Sequence, residues 1–417
     1  MVSTPPASAR DDGSRTLAPV VVTATRIEQW SFDLPVSIDV LARDEIRQGQ
    51  PQVNLSESLA RIPGVVAQNR FNHAQDLQIS SRGFGARSTF GVRGIRLYVD
   101  GIPATMPDGQ GQVSHIDLGS AARIEVMRGP FSALYGNSAG GVIAVFTENA
   151  KPGLALQGDV AAGSFGTSRI GIKASGEQHR INYLVSAGRF DTDGYRRHSA
   201  AIRDTGNGRL RLPLTERTSL TIVGNLLRIG NADDPLGLTR AQFERDPRMA
   251  DPVALQFNTR KSVDQQQIGL NVEHLLANGD SLQATVYGGQ RSTMQVLAIP
   301  PGAQAAPTHA GGVIDLARRY TGIDLRYSRN ANVANAPLQW TAGISYDNLD
   351  EDRRGYENFV GGTLGIAGRL RRDESNRVFN VDQYLQAQWE PDARWLLLAG
   401  VVNVTVLPVT AVPSVTM

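Results

Sequence analysis

The sequence predicts an α+β domain followed by an antiparallel transmembrane β-barrel. Three observations carry this expectation. Up to about residue 152, short helical and strand patterns are mixed. From there on, apolar and polar residues alternate strictly in run after run. The links between those runs sort into short turns and long polar segments.

Taken in order, residues 1–19 are rich in Ser, Pro, Ala and charge, with little to bury, and are expected to be disordered. The start, MVSTPPASARDD, lacks the apolar core of a secretory signal, yet Ala7-Ser8-Ala9 has the small-x-small form of a cleavage site. The front half of a signal is therefore expected outside this reading frame. PVVVTATR, 19–26, is a β-branched run outside any alternation. VSIDVLA reads as a strand, and ARDEIRQ and NLSESLARIPG read as helices, with Asn54 as N-cap and Gly64 as the stop. IRLYVDGIPA is a hairpin signal, since Asp100-Gly101 can supply the positive φ values of a two-residue turn. ARIEVMRGPFSALYGNSAGGVIAVFTE, 122–148, is glycine-rich but has no lysine and no strand-then-helix phosphate loop. Gly129, Gly136, Gly140 and Gly141 instead punctuate a strand over 123–127, a helical turn over 131–134 and a strand over 142–147.

Beyond Pro152 the period is two. Ile268, Leu270 and Val272 alternate with polar neighbours, as do Leu282, Ala284 and Val286, and Trp340, Ala342, Ile344 and Tyr346. Short turns are expected near 176–179, 214–216, 278–279, 330–337 and 391–392, and long links over 191–207, 230–258, 298–312 and 350–375. Such sorting is the mark of an up-and-down membrane barrel, with greasy rows on lipid and polar rows on the lumen, and a sandwich has no reason for it. About 11 strands are expected between Leu154 and Gly400.

Composition removes several function classes. There are no cysteines, so thiolate metal sites and disulfides are excluded. No apolar run is long enough for a transmembrane helix. The formal charge of +2 argues neither for nor against nucleic acid, and no nucleic-acid partner is expected. The six histidines and six methionines are too scattered for a ligand cluster, so no protein metal site is expected. No catalytic constellation is present, and the chain is not expected to be an enzyme.

PVVVTATR, LPVSIDVLARDEI, LSESLARIPGVV, SRGFGARSTFGVRGIRLYVDGIPA and the 122–148 stretch, in that order and spacing, resemble the N-terminal plug of TonB-dependent outer-membrane receptors. The resemblance covers about residues 18–150 closely and the later strands by pattern. It implies a barrel of about 22 strands whose lumen needs a stopper, of which about 11 are present. It also implies a bacterial outer-membrane location, with outer-membrane lipid and lipopolysaccharide around the barrel. Function follows as uptake of a small-molecule iron chelate of siderophore type, no resident cofactor being implied, with cobalamin or another nutrient as the alternative. The force would come from an inner-membrane proton-driven complex acting through the TonB C-terminal domain. Its grip would be a TonB box at Ala18, Pro19, Val20, Val21, Val22, Thr23 and Ala24, which can add as a strand to a partner's sheet edge; a first plug strand paired at home is the other reading. The resemblance implies that Arg82 and Arg128 meet acidic groups on the barrel wall, while Glu125 and Arg128 could also pair with each other. Plug loops reaching the vestibule would carry Arg87, Ser88, Thr89 and Phe90, then Met106, Pro107, Asp108, Gly109 and Gln110; Arg87 suits an anionic chelate and Phe90 its organic part. An outer-membrane adhesin or passive pore is the rival of another class, but an adhesin needs a large passenger and a pore carries no plug. A signalling receptor needs a folded domain ahead of the box, where only about 17 residues stand.

The expected organisation is a segment over 1–33 carrying the box, a plug over 34–152, a partial barrel over 153–400 and an aberrant tail over 401–417. VVNVTVLPVTAVPSVTM has no charge, glycine or aromatic residue, and holds two prolines. The expectation is a C-terminally truncated receptor with a shifted frame from about Val401. Eleven strands leave two edges whose N–H and C=O groups would face hydrocarbon, at several kcal/mol for each unsatisfied group. The 417-residue polypeptide expressed alone is therefore expected to give no heat-modifiable barrel on a semi-native gel; a folded, faster-migrating band that shifts on boiling would refute this.

Overall fold

The computed structural model describes residues 21–22, 29–30, 37–69, 71–88, 91–129, 135–136, 138–392 and 394–411. Two short strands, β1 (Val21–Val22) and β2 (Gln29–Trp30), pair with each other. The domain that follows contains β3 (Ser37–Ala42), α1 (Arg43–Arg47), α2 (Ser56–Leu59), β4 (Val65–Gln68), β5 (Gln78–Ser81), β6 (Arg96–Val99), β7 (Ile102–Pro103), β8 (Ala121–Arg128) and β9 (Val142–Thr147). Its five-stranded sheet has the order β3-β8-β9-β6-β7, and β4 and β5 form a hairpin beside it. Alternate apolar residues of these strands bury one face of the sheet: Leu97, Ile124 and Ile143 meet Ile46 and Leu59 from the helices and Ile79 from the hairpin. Asp100 and Gly101 both take positive φ, 49° and 81°, and close the β6–β7 hairpin as expected.

The helices are shorter than the pattern predicts, and the cap of α2 differs. Glu57, not Asn54, satisfies the free amides: its carboxylate accepts the backbone N–H groups of Gln52, Val53 and Asn54 at 2.6, 2.9 and 2.7 Å.

The second part is a sheet of β10 (Gly153–Ala162), β11 (Ser168–Gln178), β12 (Ile181–Thr192), β13 (Ala201–Pro213), β14 (Thr218–Asp233), β15 (Arg260–Leu275), β16 (Ser281–Val296), β17 (Val313–Val333) and β18 (Ala336–Tyr356), completed after a small hairpin by two more strands. The segment between β14 and β15 carries α3 (Arg240–Arg245) and α4 (Pro252–Phe257). The hairpin is β19 (Phe359–Val360) with β20 (Thr363–Leu364), and the last two strands are β21 (Leu370–Asp392) and β22 (Trp395–Ala411). Among the described residues the sheet has eleven strands in sequence order, matching the expected number. Each is antiparallel to the next, so β10 and β22 run the same way. Antiparallel closure between them therefore takes an odd number of further strands. No helix among the described residues is long and apolar enough to cross a membrane, which leaves strands untouched.

The alternation resolves as predicted into a convex apolar side and a concave polar one. Ile172, Val185, Leu226 and Ile268 stay more than half exposed on the outside, whereas Lys173, Asn207, Gln267 and Asp347 are buried against the first domain. Two boundaries change. β18 and β21 run through much of the region expected as a long link, because beyond the apolar belt their outward residues are charged and pair across strands, Arg377 with Asp350 at 3.6 Å. Residues 401–411 do not part from the sheet as a tail: they continue β22, registered from Val401↔Leu385 to Ala411↔Ser375. Their β-branched run suits a strand, and Pro408 is tolerated because β22 is an edge.

Tyrosine rings lie on glycines of the adjoining strand along the concave face. Tyr287 faces Gly322, Tyr320 faces Gly289, and Tyr384 faces Gly343. A Cβ at any of the three glycines would fall inside the ring's van der Waals shell. Gly322→Val is expected to cost about 1–3 kcal/mol through overpacking and to lower the thermal midpoint of the detergent-solubilised protein. Gly237→Val, at a glycine with open space around it, should not; equal midpoints for both variants would show that the ring contact carries no weight.

Candidate functional site

The chemistry sits where the plug-like domain meets the concave wall. At the long-loop end, the 69–77 loop is shaped by its own asparagines: Asn69 Oδ1 accepts the Phe71 N–H at 2.9 Å and Asn72 Oδ1 accepts the Ala74 N–H at 3.1 Å. Asn72 and Gln75 donate to the two carboxylate oxygens of buried Asp234, at 2.7 and 2.5 Å, and Asp76 pairs with Lys261 at 2.9 Å. His73 packs on the Phe190 ring, 5.0 Å between centroids. The anchored loop leaves Phe71 71% exposed at positive φ. Sequence reasoning missed this segment; the Asn-rich QNRFNH stretch between two strands was the available signal.

Next along the wall, Arg318 of β17 gathers the 106–110 loop. Its guanidinium donates to Gln110 at 2.8 Å and lies 3.6 Å from Asp108, while Glu351 accepts from its Nε at 2.6 Å. Asn380 donates to the Pro107 carbonyl at 3.0 Å. Ile102 and Met106 are buried against Val223, Tyr287, Tyr320 and Leu349. Near mid-height, Arg96 meets Asp347 at 3.1 Å, and Tyr287 donates to the same carboxylate at 2.5 Å. At the base, Glu148 is shared by Arg43, Arg47 and wall Lys173. Buried ions such as these stay only when paired and hydrogen-bonded.

The expected site residues fall out as follows. Arg128 pairs with Asp39 and donates to the Pro63 carbonyl, both within its own domain; β3–β8 pairing sets Ser37 opposite Arg128 and brings Asp39 to the diagonal position. Glu125 accepts from Arg123, two residues away on the same strand face, at 2.7 Å. Arg82 is exposed and its backbone N–H donates to Gly64. Arg128 thus pairs within its own domain, and among the described residues the domain-to-wall ion pairs include Glu148–Lys173, Asp76–Lys261, Asp108–Arg318 and Arg96–Asp347. In three of the four the wall supplies the cation. Met106 is 4% exposed and seats in the wall rather than facing a ligand, because its thioether fills an apolar gap; Asp108 and Gln110 are held by Arg318. Arg87 is exposed, and half-buried Ser88 donates to the Gly91 carbonyl at 3.0 Å. Thr89 and Phe90 lie outside the described residues, as do Ala18, Pro19, Val20, Thr23 and Ala24 of the expected box; Val21 and Val22 form β1.

A plug-like domain seated against an antiparallel sheet, apolar outside and polar inside, is the arrangement shared with the proteins below. The family model of the TonB-dependent receptor plug domain matches residues 31–142, and eleven antiparallel strands follow that domain. A curated relative, the vitamin B12 transporter BtuB of Vibrio vulnificus (strain CMCP6), is 29% identical over 178 residues, 42% of this chain and 28% of the relative. Among solved structures, the pyoverdine receptor FpvA of Pseudomonas aeruginosa PAO1, bound to pyoverdine, aligns with a TM-score of 0.74 and 16% identity over 94% of this chain and 59% of that one. The alcaligin receptor FauA of Bordetella pertussis aligns with a TM-score of 0.67 and 14% identity over 93% and 59%. The two structures show the fold. The chain spans less than two thirds of the length of each of these relatives.

His115, on the plug, is buried with neither ring nitrogen hydrogen-bonded. Burial, with Arg291 and Arg203 nearby, pushes its pKa down to about 3. Unfolded, it takes a proton near pH 6.5; folded, it stays neutral, so stability is full above 6.5 and falls as pH drops toward 3, by up to about 1.4 kcal/mol per unit. His73, lowered by burial to about 4, adds a second such slope. Thermal midpoints between pH 7 and 4 should therefore fall, and His115→Leu should remove roughly half of the slope; an unchanged slope would refute the assignment.

Proposed function

We propose that this chain is the plug and adjoining strands of an active uptake receptor of the bacterial outer membrane, taking an iron chelate of siderophore type. The observation that carries the reading is the seating of the plug: it closes the concave wall from the anchored 69–77 loop down to Glu148. A passive pore gains nothing from such closure. On this reading the cargo arrives wrapped in its chelator, since the six histidines and six methionines are too scattered in the sequence for a ligand cluster. Phe71 and Arg87, both exposed, and Thr89 and Phe90 would meet it, the aromatic rings stacking on its organic part and Arg87 pairing with its anionic groups. Cobalamin is the second reading, favoured by the likeness to a protein named a vitamin B12 transporter. Outer-membrane lipid and lipopolysaccharide would cover the convex apolar rows. The TonB C-terminal domain would add as a strand to residues 18–24, transmitting pull from the inner-membrane proton-driven complex.

Growth under iron limitation on single purified siderophores tests this in the full-length protein carrying this sequence. Deleting residues 18–24 should abolish growth and leave ligand binding unchanged, and Phe71→Ala should weaken binding about two- to tenfold, the worth of one aromatic contact. Growth that instead depends on cobalamin would select the second reading. Uptake indifferent to the deletion would refute energised transport.

A further inference from the structure

Behind the 69–77 loop lies a cleft of about 50 Å³ between the plug and the upper wall. By volume it holds a few waters or one small ion, and no chelate. Its lining is polar and cationic: Arg203 and Lys261 come from the wall, and His73, Gln75, Asp76 and Ser114 from the plug. Arg291 reaches the same place from β16, donating to Ser114 Oγ at 3.4 Å. Exposed Gln68 also lines the cleft, which gives a small ion a way in from solvent.

The charges here do not cancel. Asp76, the one carboxylate lining the cleft among the described residues, pairs with Lys261 at 2.9 Å, with Arg291 further off, and cannot also answer Arg203. Neither Arg203 nor Arg291 forms an ion pair with a described carboxylate: Arg203 donates to the Val53 carbonyl at 2.6 Å, and Arg291 donates to Gln265 and Ser114. The acids whose charge acts on Arg203, Asp117 and Glu57, are engaged by other donors. Asp117 accepts the Gly119 N–H at 2.9 Å and the Ser186 hydroxyl at 2.5 Å, and Glu57 accepts the three amides ahead of α2. Arg203 Nε is buried without a partner. So are both ring nitrogens of His115, which follows Ser114, is 3% exposed and feels the charge of both arginines. Buried polar groups without protein partners mark the place of a water or an ion. A water would satisfy an N–H and leave the positive charge standing, whereas an anion answers both.

We propose that this cleft is a site for a small monovalent anion, chloride in the first instance, which lies between Arg203 and the turn at Ser114 and His115 and ties the 69–77 loop to β13 and β15. The site is independent of which cargo the receptor takes.

The full-length protein carrying this sequence, solubilised in detergent, tests it in potassium chloride, bromide or gluconate at one ionic strength. Chloride and bromide should raise the thermal midpoint over gluconate by about 1 °C or more, as an ion bound by the folded state alone does. Arg203→Gln should abolish that difference. Amide exchange in residues 69–77 should slow in chloride, and crystals soaked in bromide should show an anomalous peak beside Arg203. Equal midpoints in the three salts, or a difference that survives Arg203→Gln, would overturn the proposal. If Arg203→Gln does not fold, the bromide peak decides: none beside Arg203 leaves the cleft to water and overturns the site. A peak with no shift in midpoint marks an adventitious ion only, and exchange indifferent to chloride removes the tie to the loop.

Discussion

The wall strands present an apolar row outward and a polar row inward, and from β11 to β21 much of the inward row is buried. A buried amide or charge without a partner costs on the order of 1–3 kcal/mol or more, so a wall of this kind needs a surface that answers it group by group. The plug is that surface. Lys173 finds Glu148, Asn207 finds Ser120, Asn271 finds the Asp100 carbonyl and Asp347 finds Arg96. Because these partners span several wall strands, the position of the plug and the register of the sheet specify each other.

The same requirement explains the asymmetry of the ion pairs. A plug with its own core can hold carboxylates at loop tips, where nearby backbone N–H groups help to place them, as for Asp108 with the Gln110 amide. Long Lys and Arg side chains reach inward from the wall while their backbones remain in the ladder. Lys173, Lys261 and Arg318 all use this geometry. Arg96–Asp347 is the reversed case, and it lies beside the Ile102–Met106 layer, where Tyr287 shares the carboxylate.

What was legible in the sequence was local. Asp100-Gly101 declares a hairpin because two adjacent residues fix the backbone, and Ile268, Leu270 and Val272 declare a two-sided strand because the period is read within a few residues. The plug blocks were recognisable for the same reason: their turns need particular glycines. Contacts were illegible wherever they depend on register between distant segments. Arg96 and Asp347 are 251 residues apart, and nothing near either names the other. Arg128 was expected at the wall, but the alignment of β3 on β8 hands it to Asp39 instead. Strand ends failed for another reason: past the apolar belt, outward positions such as Asp350 and Arg377 are as polar as inward ones, so the alternation vanishes although the ladder continues.

The distribution of fastenings has a mechanical meaning. Glu148 ends the plug and binds Arg43 and Arg47 at the start of the domain as well as Lys173 in the second wall strand, so one charged node ties the first helix of the domain to the chain's passage into the wall. Asp234, at the opposite rim, holds the 69–77 loop by two amide donors. Between these ends Ile102 and Met106 pack into an apolar layer, and their loop also accepts hydrogen bonds from Asn271, Arg318 and Asn380 of the wall. Directional bonds resist displacement along their own axes, whereas an apolar face resists chiefly in proportion to the area it exposes. The plug is thus fastened along its height, by hydrogen-bonded ions at both rims and by mixed apolar and directional contacts between them.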